Sequence, residues 1–123
     1  MTTVTFRTEG NRLVGFDAKG HSGYAGEGED IVCAAITSAI RLIETTCNDV
    51  LGLAAAVNVR KKDARISFRL PGGLGQTAES TVQALLAGLM VYLTELRDEY
   101  PDNLEILEET HSSPSKLFRK DGT

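Results

Sequence analysis

The chain has no tryptophan, three prolines, two histidines and two cysteines in 123 residues. Two cysteines cannot build a disulfide-dense scaffold. If Cys33 and Cys47 share one helix, their spacing sets them about 21 Å apart, whereas a disulfide needs Cα atoms within about 7 Å. Reduced thiols fit a reducing compartment. No CxxC or HxxxH spacing occurs, and His111 opens a polar tail, so no metal site is expected. The stretch Gly72-Gly73-Leu74-Gly75-Gln76-Thr77 lacks the lysine of a phosphate-binding loop and reads as a hairpin-to-helix connection. Neither Glu27-Gly28-Glu29-Asp30 nor Glu108-Glu109 resembles a calcium loop, and no cofactor is expected. No apolar run approaches a membrane span, and Met1 to Arg7 has neither a basic n-region nor an h-region. The expected location is the cytoplasm, with no membrane partner. Linkers, repeats and low-complexity tracts are missing as well.

What is present is concentrated between positions 20 and 37. Gly20-His21-Ser22-Gly23-Tyr24-Ala25-Gly26-Glu27-Gly28-Glu29-Asp30-Ile31-Val32-Cys33-Ala34-Ala35 sets a histidine in a glycine-rich loop ahead of a cysteine at an apolar helix start. A thiol attacks only as thiolate, and both an imidazole and the positive end of a helix dipole lower its pKa. Asp30 is a good N-cap for a helix beginning at Ile31, which would place Cys33 in the first turn. Free N–H groups there could also bind an oxyanion. His21 would be the base. Asp30 could alternatively orient the imidazole, as a third group does in other Cys and Ser hydrolases. Thr37, four residues beyond Cys33, shares its helix face and could donate to a thiolate or bound substrate, or only back-bond to its own helix. Tyr24 could line a substrate groove or anchor the loop, and Gly26 and Gly28 leave backbone open to a peptide. Cys47 reads as core.

The remaining pattern alternates strand pairs and helices. Val4, Phe6, Leu13, Phe16 and Ala18 flank a Gly10-Asn11 turn as a first hairpin. A helix is expected over 31–51, ended by Gly52, with Ile36, Ile40, Ile43, Cys47 and Val50 on one face. Its solvated positions, Arg41, Glu44, Asn48 and Asp49, fall in its second half, so its first half should lie deep. A second hairpin spans 56–59 and 65–70, a second helix runs from about 77 to 100, and a last strand covers 104–108. The order ββαββαβ is that of an α+β domain, a mixed or antiparallel sheet with both helices on one face. Residues 1–111 form a single domain, and 112–123, with Lys116, Arg119 and Lys120 against Asp121, are expected to be a disordered basic tail.

The string GHSGYAGEGEDIVCAAIT resembles the signature of the bacterial ribosomal-processing cysteine protease family, Prp. That pattern is Gly-His, a short glycine-containing loop, then Asp, two aliphatics, Cys, two small residues and Ser. Ser22 replaces the family's frequent alanine after the histidine, and Thr37 replaces its serine, keeping the hydroxyl. The resemblance implies His21 as general base and Cys33 as nucleophile, with Gly20 and Asp30 supporting them; Ala34 and Thr37 are further supporting candidates, and Tyr24, Gly26 and Gly28 are candidates to meet substrate. It also implies a homodimer that removes the N-terminal extension of the twenty-seventh protein of the large ribosomal subunit, cutting after phenylalanine.

The formal charge of −4 is concentrated in residues 1–111, since the tail is net basic. An acidic body argues against direct nucleic-acid contact and suits a basic partner such as a ribosomal protein. Two other functions use the same residues. A non-enzymatic ribosome-associated or peptide-binding module would need no thiol chemistry, and a redox sensor would need a reactive Cys33 without His21 as base.

Overall fold

The protein is described from a computed structural model, which covers residues 1–20 and 27–111. Its elements are β1 (Thr2–Glu9), β2 (Arg12–Lys19), α1 (Glu27–Glu44), β3 (Ala56–Arg60), β4 (Arg65–Arg69), α2 (Gln76–Glu99) and β5 (Leu104–His111). A π-helical turn over Thr45–Val50 extends α1. Among the described residues the strands form one sheet in the order β3-β4-β2-β1-β5. Neighbours are antiparallel except β1 and β5, which pair in parallel, so the sheet is mixed.

The connections explain why both helices share a face. α1 carries the chain from β2 to β3, and α2 carries it from β4 to β5. Each pair runs in one direction, so both connections are crossovers. The second moves the opposite way across the sheet from a strand of opposite direction. Two right-handed crossovers therefore lay their helices on the same side. There Val4, Phe6, Phe16, Ala18 and Phe68 meet Val32, Ile36, Ile40 and Ile43 of α1 and Val82, Leu86, Leu89 and Leu93 of α2 in one core. Phe6, Phe16 and Phe68 stand in register across three strands, the last two stacked with ring centroids 5.1 Å apart. Gly15 makes that approach possible, because a Cβ there would fall 2.1 Å from the Phe68 carbonyl oxygen.

Two boundaries differ from the sequence reading. α1 begins at Glu27, not Ile31, so Asp30 is a residue of the first turn and not the N-cap. Asp30 carries negative charge in the first turn, where the helix dipole is positive, which favours the earlier start. The first half of α1 is also not wholly sunk in the domain: Ile31, Ala34, Thr37 and Ser38 are exposed, while Val32 and Ile36 face the core. The last strand reaches His111, pairing with β1 along its whole length.

The opposite face of the sheet is polar. Arg7 on β1 donates to Asp17 on β2 at 2.6 Å and also pairs with Glu109 on β5, and Ser67 on β4 donates to Asp17. One network thus ties four adjacent strands. Burial alone would raise the Asp17 carboxyl, but the Ser67 hydroxyl and the Arg7 guanidinium outweigh it and hold it below its ordinary value. A depressed carboxyl pKa gives stability that is present above the unfolded value and lost as pH falls through the folded one. Asp17→Asn should therefore cost about 1–2 kcal/mol at neutral pH. In urea titrations at several pH values the gap to wild type should be constant above about pH 5 and should close below about pH 4.

Candidate functional site

The helices cover the centre of the sheet and leave part of its β3 side open. Val59 and Ile66 pair across β3 and β4 on the helix face, yet Val59 is 56% exposed because α1 does not extend over it. The space between α1 and this hairpin is a cleft of about 350 Å³. α1 contributes Cys33, Ile36 and Thr37, the sheet contributes Thr2, Ala18, Val59 and Ile66, Gly20 follows β2, and the hairpin end contributes Arg60, Lys61, Ala64 and Arg65.

The hairpin end is held in place by local geometry. Lys61–Asp63 form a 3₁₀ turn closed by Ala64 in the left-handed region at φ 50°, and Arg60 pairs with Asp63. Gly20 at the end of β2 donates its N–H to the Ala64 carbonyl at 2.9 Å, tying that end of β2 to the turn. The cleft wall next to α1 is therefore apolar, and cations rim its far end. Among the described residues, none that lines it is acidic. The net negative charge of residues 1–111 is thus carried outside the described lining of the cleft.

Cys33 reaches the cleft because it follows Val32, which is fully buried, by one helical step of about 100°. It is half-buried, with Sγ 3.6 Å from Thr2 Oγ1. Cys47, further along the same stripe, is fully buried, and burial pushes its thiol pKa up. No disulfide joins the two.

Of the residues singled out from the sequence, the structure brings Gly20, Cys33 and Thr37 together around the cleft. Asp30 and Ala34 are exposed on α1 and do not line it. Gly28 lies in the first turn of α1, where a Cβ would fall 2.5 Å from Asn103 Oδ1, so close packing already accounts for a glycine there. His21, Tyr24 and Gly26 lie outside the described residues. With α1 starting at Glu27, the N–H groups lacking partners within the helix belong to residues 27–30. The Cys33 N–H falls inside the helical ladder, in the second turn, so the oxyanion role expected of it does not fit this helix. Among the described residues no cluster could hold a metal ion.

Sequence reasoning missed Thr2. Its signal was available: strand alternation puts it on the same face as Val4 and Phe6, a hydroxyl at a core-facing position. The hairpin end at Arg60 and Lys61 was missed too, because only the sheet order brings it beside α1.

The family model described as cysteine protease Prp matches residues 1–105. The chain belongs to this family. It is accordingly a cysteine-type peptidase of the Prp family. The ribosomal processing cysteine protease Prp of Bacillus subtilis (strain 168) is 25% identical over 100 residues, covering 81% of this chain and 89% of its own length. A ribosomal processing protease Prp from S. aureus, solved in complex with a substrate peptide, superposes with a TM-score of 0.76 at 18% identity, over 89% of this chain and 100% of that one. The same S. aureus protease with a covalently linked product peptide gives a TM-score of 0.70 at 17% identity, with the same coverage. At such identities these structures establish a shared fold. Within a Prp fold, the two thiols of this chain differ sharply in access. Iodoacetamide at neutral pH should modify Cys33 in the folded protein and leave Cys47 untouched until denaturant is added, as peptide mapping by mass spectrometry will read.

Proposed function

We propose that this enzyme removes the N-terminal extension of the twenty-seventh protein of the large ribosomal subunit, cutting after phenylalanine, with Cys33 as nucleophile and His21 as general base. The observation that carries this reading is the position of Cys33, at the edge of an open cleft whose neighbouring wall is Ala18, Ile36, Val59 and Ile66. Such a wall suits an aromatic side chain before the scissile bond, which would bury apolar surface at roughly 25 cal/mol per Å². The S. aureus Prp complexes with a substrate peptide and with a covalently linked product peptide, both of this fold, support the reading.

In this mechanism His21 takes the thiol proton and the Cys33 sulfur attacks the scissile carbonyl. The carbon–nitrogen bond breaks, the leaving amine receives the proton from His21, and water hydrolyses the thioester to return the thiol. Gly20 supports the backbone that leads into His21. Asp30, Ala34 and Thr37 are supporting positions along α1, with the Thr37 hydroxyl the one at the cleft. Tyr24, Gly26 and Gly28 belong to the segment that meets substrate. The enzyme works as a cytoplasmic homodimer without direct nucleic-acid contact, with residues 1–111 as its domain and 112–123 as a basic appendage.

A peptide copying the extension junction should be cut once, at the bond after phenylalanine, as located by mass spectrometry. Cys33→Ala should lose at least about 10³-fold in kcat/KM with the fold intact. Replacing the phenylalanine of the peptide by alanine should lower kcat/KM at least about tenfold. Cleavage persisting in Cys33→Ala would refute the nucleophile, and indifference to the aromatic would refute the substrate assignment alone.

A further inference from the structure

Thr2 opens β1 on the face that otherwise carries Val4 and Phe6, and it is 4% exposed. Valine has nearly the same shape, so a threonine there keeps a hydroxyl where burial penalises it unless the group is used. Its Oγ1 lies 3.6 Å from Cys33 Sγ, within reach of an O–H···S hydrogen bond. The pair is held from both sides. The Thr2 N–H donates to the Asn103 carbonyl at 2.9 Å, and Asn103 presses against Gly28 in the first turn of α1. Asn103 thus sets the spacing between the start of β1 and the start of the helix that carries Cys33. On the other side, a Cβ at Gly20 would fall 3.8 Å from Thr2 Oγ1, so the hydroxyl also borders the residue that precedes His21.

The position of Cys33 gives this contact a purpose. Cys33 lies six positions beyond the first residue of α1, and helix-dipole effects fade beyond the first turn. A hydroxyl donor at that position adds to whatever else stabilises a thiolate there. We propose that Thr2 is a positioning residue, whose hydroxyl donates to the Cys33 thiolate, raises the thiolate fraction near neutral pH and fixes the sulfur toward the cleft. A hydrogen bond to the charged form of an acid lowers its pKa. This rests on Cys33 being the nucleophile, but the hydrogen bond itself can be read without substrate.

The test is the pH dependence of Cys33 alkylation by iodoacetamide in wild type, Thr2→Val, Thr2→Ala and Thr2→Ser. Without the donor, in Thr2→Val and Thr2→Ala, the midpoint should rise by about 1–2 pH units, as expected for one hydrogen bond to a charged group. Thr2→Ser should return it to the wild-type value. In peptide cleavage, Thr2→Val should lower kcat with little change in KM, again restored by serine. A merely structural role would shift melting temperature and leave the midpoint alone. An unmoved midpoint in Thr2→Val and Thr2→Ala, or serine behaving as valine does, would overturn the proposal. Cleavage retained in Cys33→Ala would instead overturn the catalytic reading, so the two failures are distinguishable.

Discussion

Everything in this molecule depends on the apolar stripe of α1 seating on the phenylalanine row of the sheet. Val32, Ile36, Ile40, Ile43 and Cys47 pack against Phe6, Phe16 and Phe68, and that contact fixes both the height and the rotation of the helix. Cys33 is the residue beside the first of these anchors. A rotation of α1 by one residue would exchange a buried position for a half-buried one and remove the thiol from the cleft. The fold can keep this register because the core is close-packed, with Gly15 admitting the stacked rings and Gly28 admitting Asn103.

The same packing separates the two thiols. Both lie on α1 or its π-helical extension, yet one stands at the edge of the core and the other inside it. Burial disfavours the thiolate of Cys47, whereas Cys33 is half-buried beside the Thr2 hydroxyl at the edge of the cleft. The cleft exists because two crossovers place the helices over the middle of a five-stranded sheet and the β3 edge is left over. Its apolar wall is the part of the helix-facing surface that the helices do not reach. An exposed valine on an edge strand would otherwise be an aggregation liability, and a peptide docking there would cover it.

Much of this was legible in the chain. The period-two pattern of the strands and the three-to-four spacing of the helices gave the order of elements, and the Gly-His and Asp-Ile-Val-Cys strings marked the segment that matters. The parallel pairing of β5 with β1 was not decided by pattern, because an edge strand paired on one side reads alike in either direction. The start of α1 was misplaced by treating Asp30 as a cap, when its negative charge also suits the first turn of a helix that begins earlier. That shift moved the unpaired N–H groups away from Cys33. Thr2 and the Arg60–Lys61 turn escaped notice for a different reason. They are far from Cys33 in sequence and meet it only through sheet order, which single-sequence periodicity does not contain. Net charge is a property of the whole chain and does not tell which residues line the cleft, whose described lining holds no acid.

The account stands on Cys33 being the sulfur that bonds to substrate in this cleft. A peptidyl aldehyde or chloromethyl ketone ending in phenylalanine, titrated against the full chain, measures this most directly. Peptide cleavage should fall in one-to-one proportion with modification, and mapping should place the adduct on Cys33. Full cleavage by protein whose Cys33 is quantitatively modified, or loss of cleavage with the adduct at another residue, would contradict the account.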